Sequence, residues 1–271
     1  MPHPKKSLLF LFPLLLAAAA GAAPYSFQPA LDLPLAGGVW ALKEGSSAAL
    51  AEKREKPLET SGLRRSDVPA YDRWAIGFYS PRMSAYSSIP AYAILAVPAA
   101  VNVWDARQGL QPWYGAWVDV LMLEEATTLS ASLSDFSKAA FQVHSTPLTY
   151  DTRVPQSVKE QPQNVSSFFS SHTTFAFTTA VFSAYTFELR HPESPLVPWV
   201  WGGALALASA EGSMRVLAGR HFPSDVLAGA AVGAACGFAV PWLHTRRWNL
   251  GLGFAFAEDG RRTVPTLNLR F

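Results

Sequence analysis

From residue 90 onward, runs of apolar residues alternate with short polar segments. Their lengths and their Ala, Leu and Phe content favour helices over strands. Asp119, Glu124 and Glu125 interrupt the second run, and such charges are tolerated at membrane depth where they face a bundle interior or a polar cavity. The pattern predicts an all-α bundle of about five or six apolar helices, either transmembrane or a compact soluble bundle. The predicted helices cover 90–104, 113–134, 171–187, 197–210 and 223–243.

The last of these runs carries three glycines at four-residue spacing, Gly229, Gly233 and Gly237. Residues four apart lie on the same face of a helix. We therefore expect a ridge of small residues that lets a second helix approach closely.

The two ends of the chain differ from the bundle. Lys5 and Lys6 precede an apolar stretch, and small residues come after it before Pro24, as in a secretory signal. We expect a signal peptide, or an uncleaved signal anchor, and in both cases export of the next segment of the chain. The tail alternates apolar and small residues, and Asp259-Gly260 predicts a hairpin turn. The predicted organisation is a leader at 1–23, an exported N-terminal region at 24–89, a helical domain at 90–247 and a β-hairpin tail at 248–271.

Composition narrows the class of protein. Hydrophobic residues make up 49% of the chain and charged residues 15%, and there are nine tryptophans. Charged residues average about a quarter of a soluble domain, so this shortfall favours a membrane-embedded or very compact protein. The net charge of +2, without a basic stripe, argues against nucleic-acid binding. The single Cys236 excludes an intramolecular disulfide, and its Gly/Ala-rich surroundings predict a buried thiol.

Candidate chemistry is concentrated between Arg215 and Asp225. Pro223 suits the first turn of a helix, so His221 is expected at a helix N-terminus, where anions are favoured. Asp225 comes one helical turn later and can reach back to His221. A carboxylate on one imidazole nitrogen leaves the other free as a nucleophile. Arg215 can bind phosphate oxygens, and Arg220 is a possible second cation.

A second polar group opens an earlier helix, at Ser170-Ser171-His172. Small hydroxyl residues are good helix N-caps, and their backbone amides can bind an anion. His172 is then placed at a helix mouth, where it could act as a general acid.

In order and spacing, these residues resemble the motifs of the type 2 phosphatidic acid phosphatase (PAP2) superfamily, over 90–243. Its third motif, Ser-Arg-x5-His-x3-Asp, matches at Arg215, His221 and Asp225, although Met214 replaces the serine and Ser213 lies one residue earlier. Its second motif, Pro-Ser-Gly-His, matches as 169–172 with Phe for Pro and Ser for Gly.

The first motif of the family, Lys-x6-Arg-Pro, is eroded. Lys138 begins it, but Thr146-Pro147 come one residue late and the arginine is missing. Arg153 and His144 are candidates to compensate. Loss of this cation leaves a slow, narrowly selective or catalytically degenerate homologue as an alternative.

The resemblance implies a metal-independent phosphatase with a phosphohistidine intermediate and no cofactor. His221 would be the nucleophile, Asp225 would orient it and His172 would protonate the leaving group. The phosphate would be bound by Lys138, Ser170, Ser171 and Arg215, with Arg153, Arg220 and Ser213 as further possibilities. The partner would be a phosphorylated lipid or a small phosphate ester.

Alternating helices place all these helix ends on one side of the bundle. The opposite ends carry Arg107, Arg190 and His244 to Arg247. By the positive-inside bias this side is cytoplasmic, so the site would face the periplasm across a bacterial cytoplasmic membrane. The alternatives are a soluble periplasmic acid phosphatase, an outer-membrane-associated protein and a non-catalytic membrane scaffold.

Overall fold

The protein is described by a computed structural model covering residues 24–56, 60, 62–141, 145–246, 249–256 and 263–270. The predicted leader at 1–23, His144 and the Asp259-Gly260 turn lie outside the described residues. Eight helices are found in the described chain: α1 Pro29–Glu55, α2 Pro81–Tyr86, α3 Ser88–Arg107, α4 Trp113–Ala140, α5 Gln156–Lys159, α6 Ser171–Arg190, α7 Val197–Leu217 and α8 Pro223–His244.

The five predicted helices are confirmed as α3, α4, α6, α7 and α8, and the first four of these extend well past their predicted ends. Lys138, expected after its helix, lies in the last turn of α4, and Arg215 lies inside α7. Sequence patterning ended both helices early because their last turns are polar. In the N-terminal region, α1 runs without a break through the two glycines Gly37 and Gly38.

Helix α6 is the centre of the bundle and packs against α3, α4, α7 and α8. Phe182 lies in one core cluster with Val118 and Met122 of α4 and Val240 of α8. A second cluster joins α6 to α3 and α7 through small residues such as Ala176, Ala180 and Ala208. The α6 side chains in these clusters are buried, which fits its central position.

The predicted glycine ridge of α8 lies directly on α6. A Cβ atom at Gly233 would stand 2.3 Å from the carbonyl oxygen of Thr174, and one at Gly237 equally close to that of Thr178. These contacts are far shorter than any Cβ makes, so the two helices can adopt this separation only with glycine at both positions.

Helix α1 runs parallel to α4 along the length of the bundle. Near its start, Asp32 approaches Glu125 and His244. Lys43 then pairs with Asp135 at 2.6 Å, and Lys53 donates to the carbonyl oxygen of Lys138 at 2.6 Å. The α1 helix therefore begins at the far end of the bundle and ends beside Lys138.

Buried charges close the far end. Arg190 forms ion pairs with Asp105 at 3.1 Å and Asp119 at 2.6 Å, and Tyr25 bonds to both Arg190 and Asp119. Asp119 therefore faces the bundle interior, one of the two settings in which its charge is tolerated. Because its charge is neutralised inside the bundle, Arg190 does not serve as a topology-determining surface cation.

Within the described residues, two helical segments are long and apolar enough to cross a membrane, Pro81–Arg107 and Pro223–His244. Exposed tryptophans gather at the far end of the bundle, and exposed tyrosines and a tryptophan lie near the other end. The first group is Trp104, Trp113, Trp117, Trp199 and Trp242, and the second is Tyr71, Trp74, Tyr79 and Tyr86.

The C-terminal tail contains two antiparallel strands, β1 Asn249–Phe256 and β2 Thr263–Arg270, paired from Asn249 with Arg270 to Phe256 with Thr263. Four short 3₁₀ turns lie in the loops, at Arg65–Asp67, Arg73–Ala75, Pro147–Tyr150 and Pro162–Asn164.

Candidate active site

A tight turn between α7 and α8 positions His221. Gly219 has a φ of +70°, and a Cβ there would lie 2.1 Å from the carbonyl oxygen of Phe78. This conformation and this close approach both require glycine. Pro223 then occupies the first turn of α8, as predicted from the sequence. His221 is consequently held directly before a helix N-terminus.

The imidazole of His221 is oriented through its Nδ1 atom. Nδ1 lies 3.1 Å from the carbonyl oxygen of Ser167 and 3.7 Å from Oδ2 of Asp225. Because a carbonyl oxygen only accepts, Nδ1 carries the proton, and Nε2 is left with its lone pair. Asp225 Oδ2 also accepts from the amide of Phe222 at 2.8 Å, which fixes the carboxylate at the start of α8.

Burial keeps His221 neutral. Its pKa is lowered to about 4, chiefly because the site excludes water, and Arg215 and Lys138 add repulsion. The hydrogen bond and charge of Asp225 oppose this shift. A neutral imidazole is the form that can act as a nucleophile.

Ser170, Ser171 and His172, at the start of α6, have different roles in the structure, which the sequence did not show. Ser170 is fully buried, its hydroxyl caps α6 and its amide donates to the carbonyl oxygen of Asp225 at 3.2 Å. Ser171 and His172 instead line a cavity, and His172 is exposed at its mouth. Ser170 therefore joins α6 to α8, and Ser171 is the serine available to a ligand.

Lys138 is buried and its ammonium group lies among hydroxyl groups. It donates to Ser134 at 3.1 Å and contacts Ser171, while Ser134 and Ser171 are themselves 2.8 Å apart. The hydroxyl groups hold the ammonium at the cavity wall.

Two arginines face the same cavity from α7 and from the turn after it. Arg215 is buried, and its Nη1 donates to Ser87 at 3.0 Å. Arg220 donates to Ser84 and to Asn164, each at 3.3 Å. These hydrogen bonds fix both guanidinium groups at the cavity wall.

The cavity has a volume of about 320 Å³, which suits a phosphate group with part of its ester. Its lining includes residues that sequence reasoning missed. They are Arg54, Ser84, Thr146, Gln163 and Ser166. Arg54 carried no signal because it lies outside the motifs, and its approach depends on the parallel packing of α1 on α4.

Some predicted residues are not brought to the cavity. Arg153 is exposed, pairs with Asp151 at 2.8 Å and donates to the carbonyl oxygen of Gly77. Its hydrogen bond is the main reason that the pKa of Asp151 is lowered. Ser213 is exposed on another face of α7 and bonds to the carbonyl oxygen of Ser209. Thr146, at the position of the missing arginine, does line the cavity.

The architecture and the site together define a helical bundle with a histidine and cations gathered at one of its ends. Residues 120–249 match the family model of the PAP2 superfamily. This stretch, which carries Lys138, His172, Arg215 and His221, therefore belongs to the PAP2 superfamily, as the motifs indicated.

A solved structure is similar to the chain, the first transmembrane PAP2 type phosphatidylglycerolphosphate phosphatase from Bacillus subtilis. The sequences are 16% identical, the alignment covers 78% of this chain and 94% of that one, and the TM-score is 0.44. No curated protein matches the chain at a significant level.

Proposed function

We propose that the protein is a metal-independent phosphatase that hydrolyses a lipid phosphate or pyrophosphate through a phosphohistidine intermediate, at the periplasmic face of a membrane. The observation that carries the proposal is His221, a buried neutral imidazole at a cavity lined by Lys138, Arg215 and Arg220. Its Nδ1 is occupied by Ser167, so Nε2 is the nitrogen available to phosphorus.

Substrate binding is supported by the charge of the cavity. Lys138, Arg54, Arg215 and Arg220 are cationic and no carboxylate is among the cavity-lining residues of the described chain. Such groups stabilise the negative charge that is spread over the phosphoryl oxygens in the transition state. The proposal therefore assigns no cofactor and no metal to the reaction.

The reaction would proceed in two steps. Nε2 of His221 attacks phosphorus, the bond from phosphorus to the ester oxygen breaks, and protonated His172 donates its proton to the departing oxygen. Burial, with repulsion from Arg215, lowers the pKa of His172 to about 3 without substrate, so this step requires the negative charge of the bound phosphate to keep the proton on His172. Asp225 stabilises the positive charge that develops on the imidazole. Water, losing a proton to His172, then attacks the phosphohistidine, and inorganic phosphate leaves with His221 restored.

A lipid substrate is supported by the surface around the bundle. In the part of the chain that the structure describes, two segments have the length and composition to cross a membrane, and exposed aromatic residues occur towards both ends, as in membrane-interface belts. The cavity opens at one of these ends, where the phosphate of a lipid would lie. Extraction from cell membranes tests this point, since a soluble periplasmic phosphatase would be released without detergent.

The central test is trapping of the phosphoenzyme. The full chain is incubated with a ³²P-labelled lipid phosphate, quenched and examined for an acid-labile, base-stable label, as is typical of phosphohistidine. We expect label on the wild type, and a loss of turnover of at least about a thousandfold in His221→Ala. His191→Ala, a histidine bonded to Asp105 at the far end, is the matched control. Activity that survives in His221→Ala would refute the mechanism.

A second candidate is a catalytically degenerate member that binds phosphorylated lipid without hydrolysing it. Thr146 and Met214 at motif positions of arginine and serine favour it. It predicts binding of the lipid by both wild type and His221→Ala, with no phosphate release from either.

A further inference from the structure

A cluster of three metal-ligating side chains lies at the far end of the bundle, away from the phosphate cavity. Asp32 comes from α1, Glu125 from α4 and His244 from the end of α8. One oxygen or nitrogen atom of each lies within 4.8 Å of the others, and all three residues are buried. The length of α8 separates the cluster from His221 by about 30 Å.

The orientation of His244 is the one found in metal-bound histidines. Its Nδ1 lies 2.8 Å from the carbonyl oxygen of Val240, which can only accept, so Nδ1 carries the proton. Nε2 is then turned to the two carboxylates and lies within hydrogen-bond distance of Asp32, so a bound ion would take the place of the proton that these two groups share. A backbone carbonyl that fixes the tautomer in this way is typical of the surroundings of a metal ligand.

The carboxylates are not satisfied equally. Asp32 accepts the amide proton of Gln28 on Oδ2, and its Oδ1 lies 2.7 Å from Nε2 of His244. Glu125 Oε2 lies 3.6 Å from the same nitrogen and has no hydrogen-bond partner within the described residues, although the residue is only 7% exposed. If both buried carboxyl groups are ionised, they leave net negative charge even beside a protonated imidazole, and such burial is strongly unfavourable without a further cation.

The spacing of the three atoms suits a small divalent ion. Zn²⁺ binds histidine nitrogen and carboxylate oxygen at about 2.0–2.2 Å in a tetrahedron, which sets neighbouring ligand atoms about 3.3–3.6 Å apart. The glutamate oxygen already lies at that separation from Nε2, and the aspartate oxygen needs to move outward by less than an ångström. We propose that Asp32, Glu125 and His244 bind one divalent transition-metal ion, with Zn²⁺ the best match, and a water as the fourth ligand.

The role of this ion is structural. Its three ligands belong to three helices, so it would attach the start of α1 to α4 and α8. The phosphate cavity contains none of the three residues. The metal is therefore expected to change stability and not the chemical step at His221.

The test uses full-length protein purified without a histidine tag and stripped with a chelator. Its metal content is measured by elemental analysis, and its Tm is followed as Zn²⁺ is added. We expect about one equivalent of zinc on the wild type. At a hundred times Kd, the Tm should rise by roughly 5–10 °C. Glu125→Gln should lose both the stoichiometric zinc and the shift.

Two controls separate the possible outcomes. Asp135→Asn removes a carboxylate of α4 that pairs with Lys43 outside the cluster, and it should retain the zinc-dependent shift. His221→Ala should also bind zinc like the wild type, so loss of phosphatase activity and loss of the metal are independent results. A wild-type Tm that zinc does not move, or an equal shift in Glu125→Gln, would overturn the proposal in favour of a proton-bridged cluster.

Discussion

The proposed nucleophile, His221, is positioned by groups from two segments of the chain, 167–170 and 222–225. His221 is held through Nδ1 by the carbonyl oxygen of Ser167, with the carboxylate of Asp225 behind it. Asp225 is itself fixed by the Phe222 amide, and its own carbonyl oxygen accepts from Ser170. A small displacement of any of these groups would change the direction in which Nε2 of His221 points.

Asp225→Asn tests the electrostatic part of this arrangement. The amide oxygen of asparagine can still accept from Phe222, so the fold should be retained, while the charge that stabilises imidazolium is lost. We expect kcat to fall by about 10²- to 10⁴-fold with little change in Tm. Steady-state kinetics and thermal unfolding of the same preparation measure the two effects. An unchanged kcat would mean that Asp225 acts only as a helix cap.

Arg54 is the residue best placed to replace the missing arginine of the first motif. It lines the cavity with Lys138 and Arg215 and is only half-buried. Arg54→Ala should lower kcat/KM by about ten- to a hundredfold, and Arg54→Lys should recover part of the loss, since lysine retains the charge but not the fork of donors.

The matched control for Arg54 is Arg153. This arginine was a candidate in the sequence, but its guanidinium is paired with Asp151 and lies outside the cavity. Arg153→Ala is expected to leave kcat/KM unchanged. A larger loss in Arg153→Ala than in Arg54→Ala would reverse the assignment.

The low pKa of His221 predicts that kcat/KM is maintained to a more acidic pH than an ordinary histidine would allow. Its folded value, about 4, lies below that of an ordinary histidine, so the neutral nucleophile persists as the pH falls from about 6.5 towards 4. We expect kcat/KM, corrected for titration of the substrate, to fall only near pH 4. A limb near pH 6.5 would contradict the burial of this imidazole.

The stability of the protein should also depend on pH through His221, but over a higher pH range than its activity. Between about pH 6.5 and 4 the unfolded chain binds a proton that folded His221 refuses, so the free energy of unfolding declines as the pH falls through this window. His221→Gln should reduce that decline, which denaturant titration at several pH values would measure.

Much of the candidate site could be predicted at the residue scale because motif spacing encodes helix ends. His221, Asp225, His172, Ser171, Lys138, Arg215 and Arg220 were named from sequence, and all but Asp225 line the cavity, with Asp225 behind His221. Ser170 was placed there too, but its hydroxyl and amide are used within the protein. Whether Ser170 binds a ligand or bonds within the protein depends on its distance to Asp225, which a local sequence pattern cannot predict.

Between elements, the closest contact is that of α6 with α8. The glycine spacing predicted a close neighbour for α8 but not which helix it would be. That neighbour is α6, because its carbonyl oxygens at Thr174 and Thr178 occupy the space that side chains would need. The proposed catalytic residues His172 and His221 stand at the starts of these same two helices, so their separation depends on this contact.

Gly233→Ala should therefore be strongly destabilising. The added methyl group would meet the Thr174 carbonyl oxygen and force the helices apart, at a cost of about 1–3 kcal/mol or more. Gly203→Ala in α7 is the control, because no atom lies within 4 Å of its Cβ position. It should be neutral or stabilising through helix propensity. Thermal unfolding of both variants measures the difference.

Across the whole molecule, labelling of single cysteines tests the proposed orientation. The native Cys236 is buried, so the background is low. Ser66 lies in the region before α2 and Ser26 precedes α1, and both are exposed. With the site facing outward, a membrane-impermeant maleimide should label Ser66→Cys in intact spheroplasts and Ser26→Cys only after permeabilisation. Labelling of Ser26→Cys alone would invert the orientation.

The position of Tyr25 restricts how the protein can be arranged relative to a membrane. Each passage through a bilayer moves the chain to the other side, and Tyr25 is bonded to Asp119 and Arg190 at the end opposite the phosphate cavity. A spanning bundle with an outward cavity puts this tyrosine in the cytoplasm. A leader removed after export puts the residues next to it outside. The two conditions exclude each other, and a removed leader is compatible only with a bundle that has been exported whole. The side on which one tyrosine hydroxyl lies therefore distinguishes an integral membrane enzyme from an exported one.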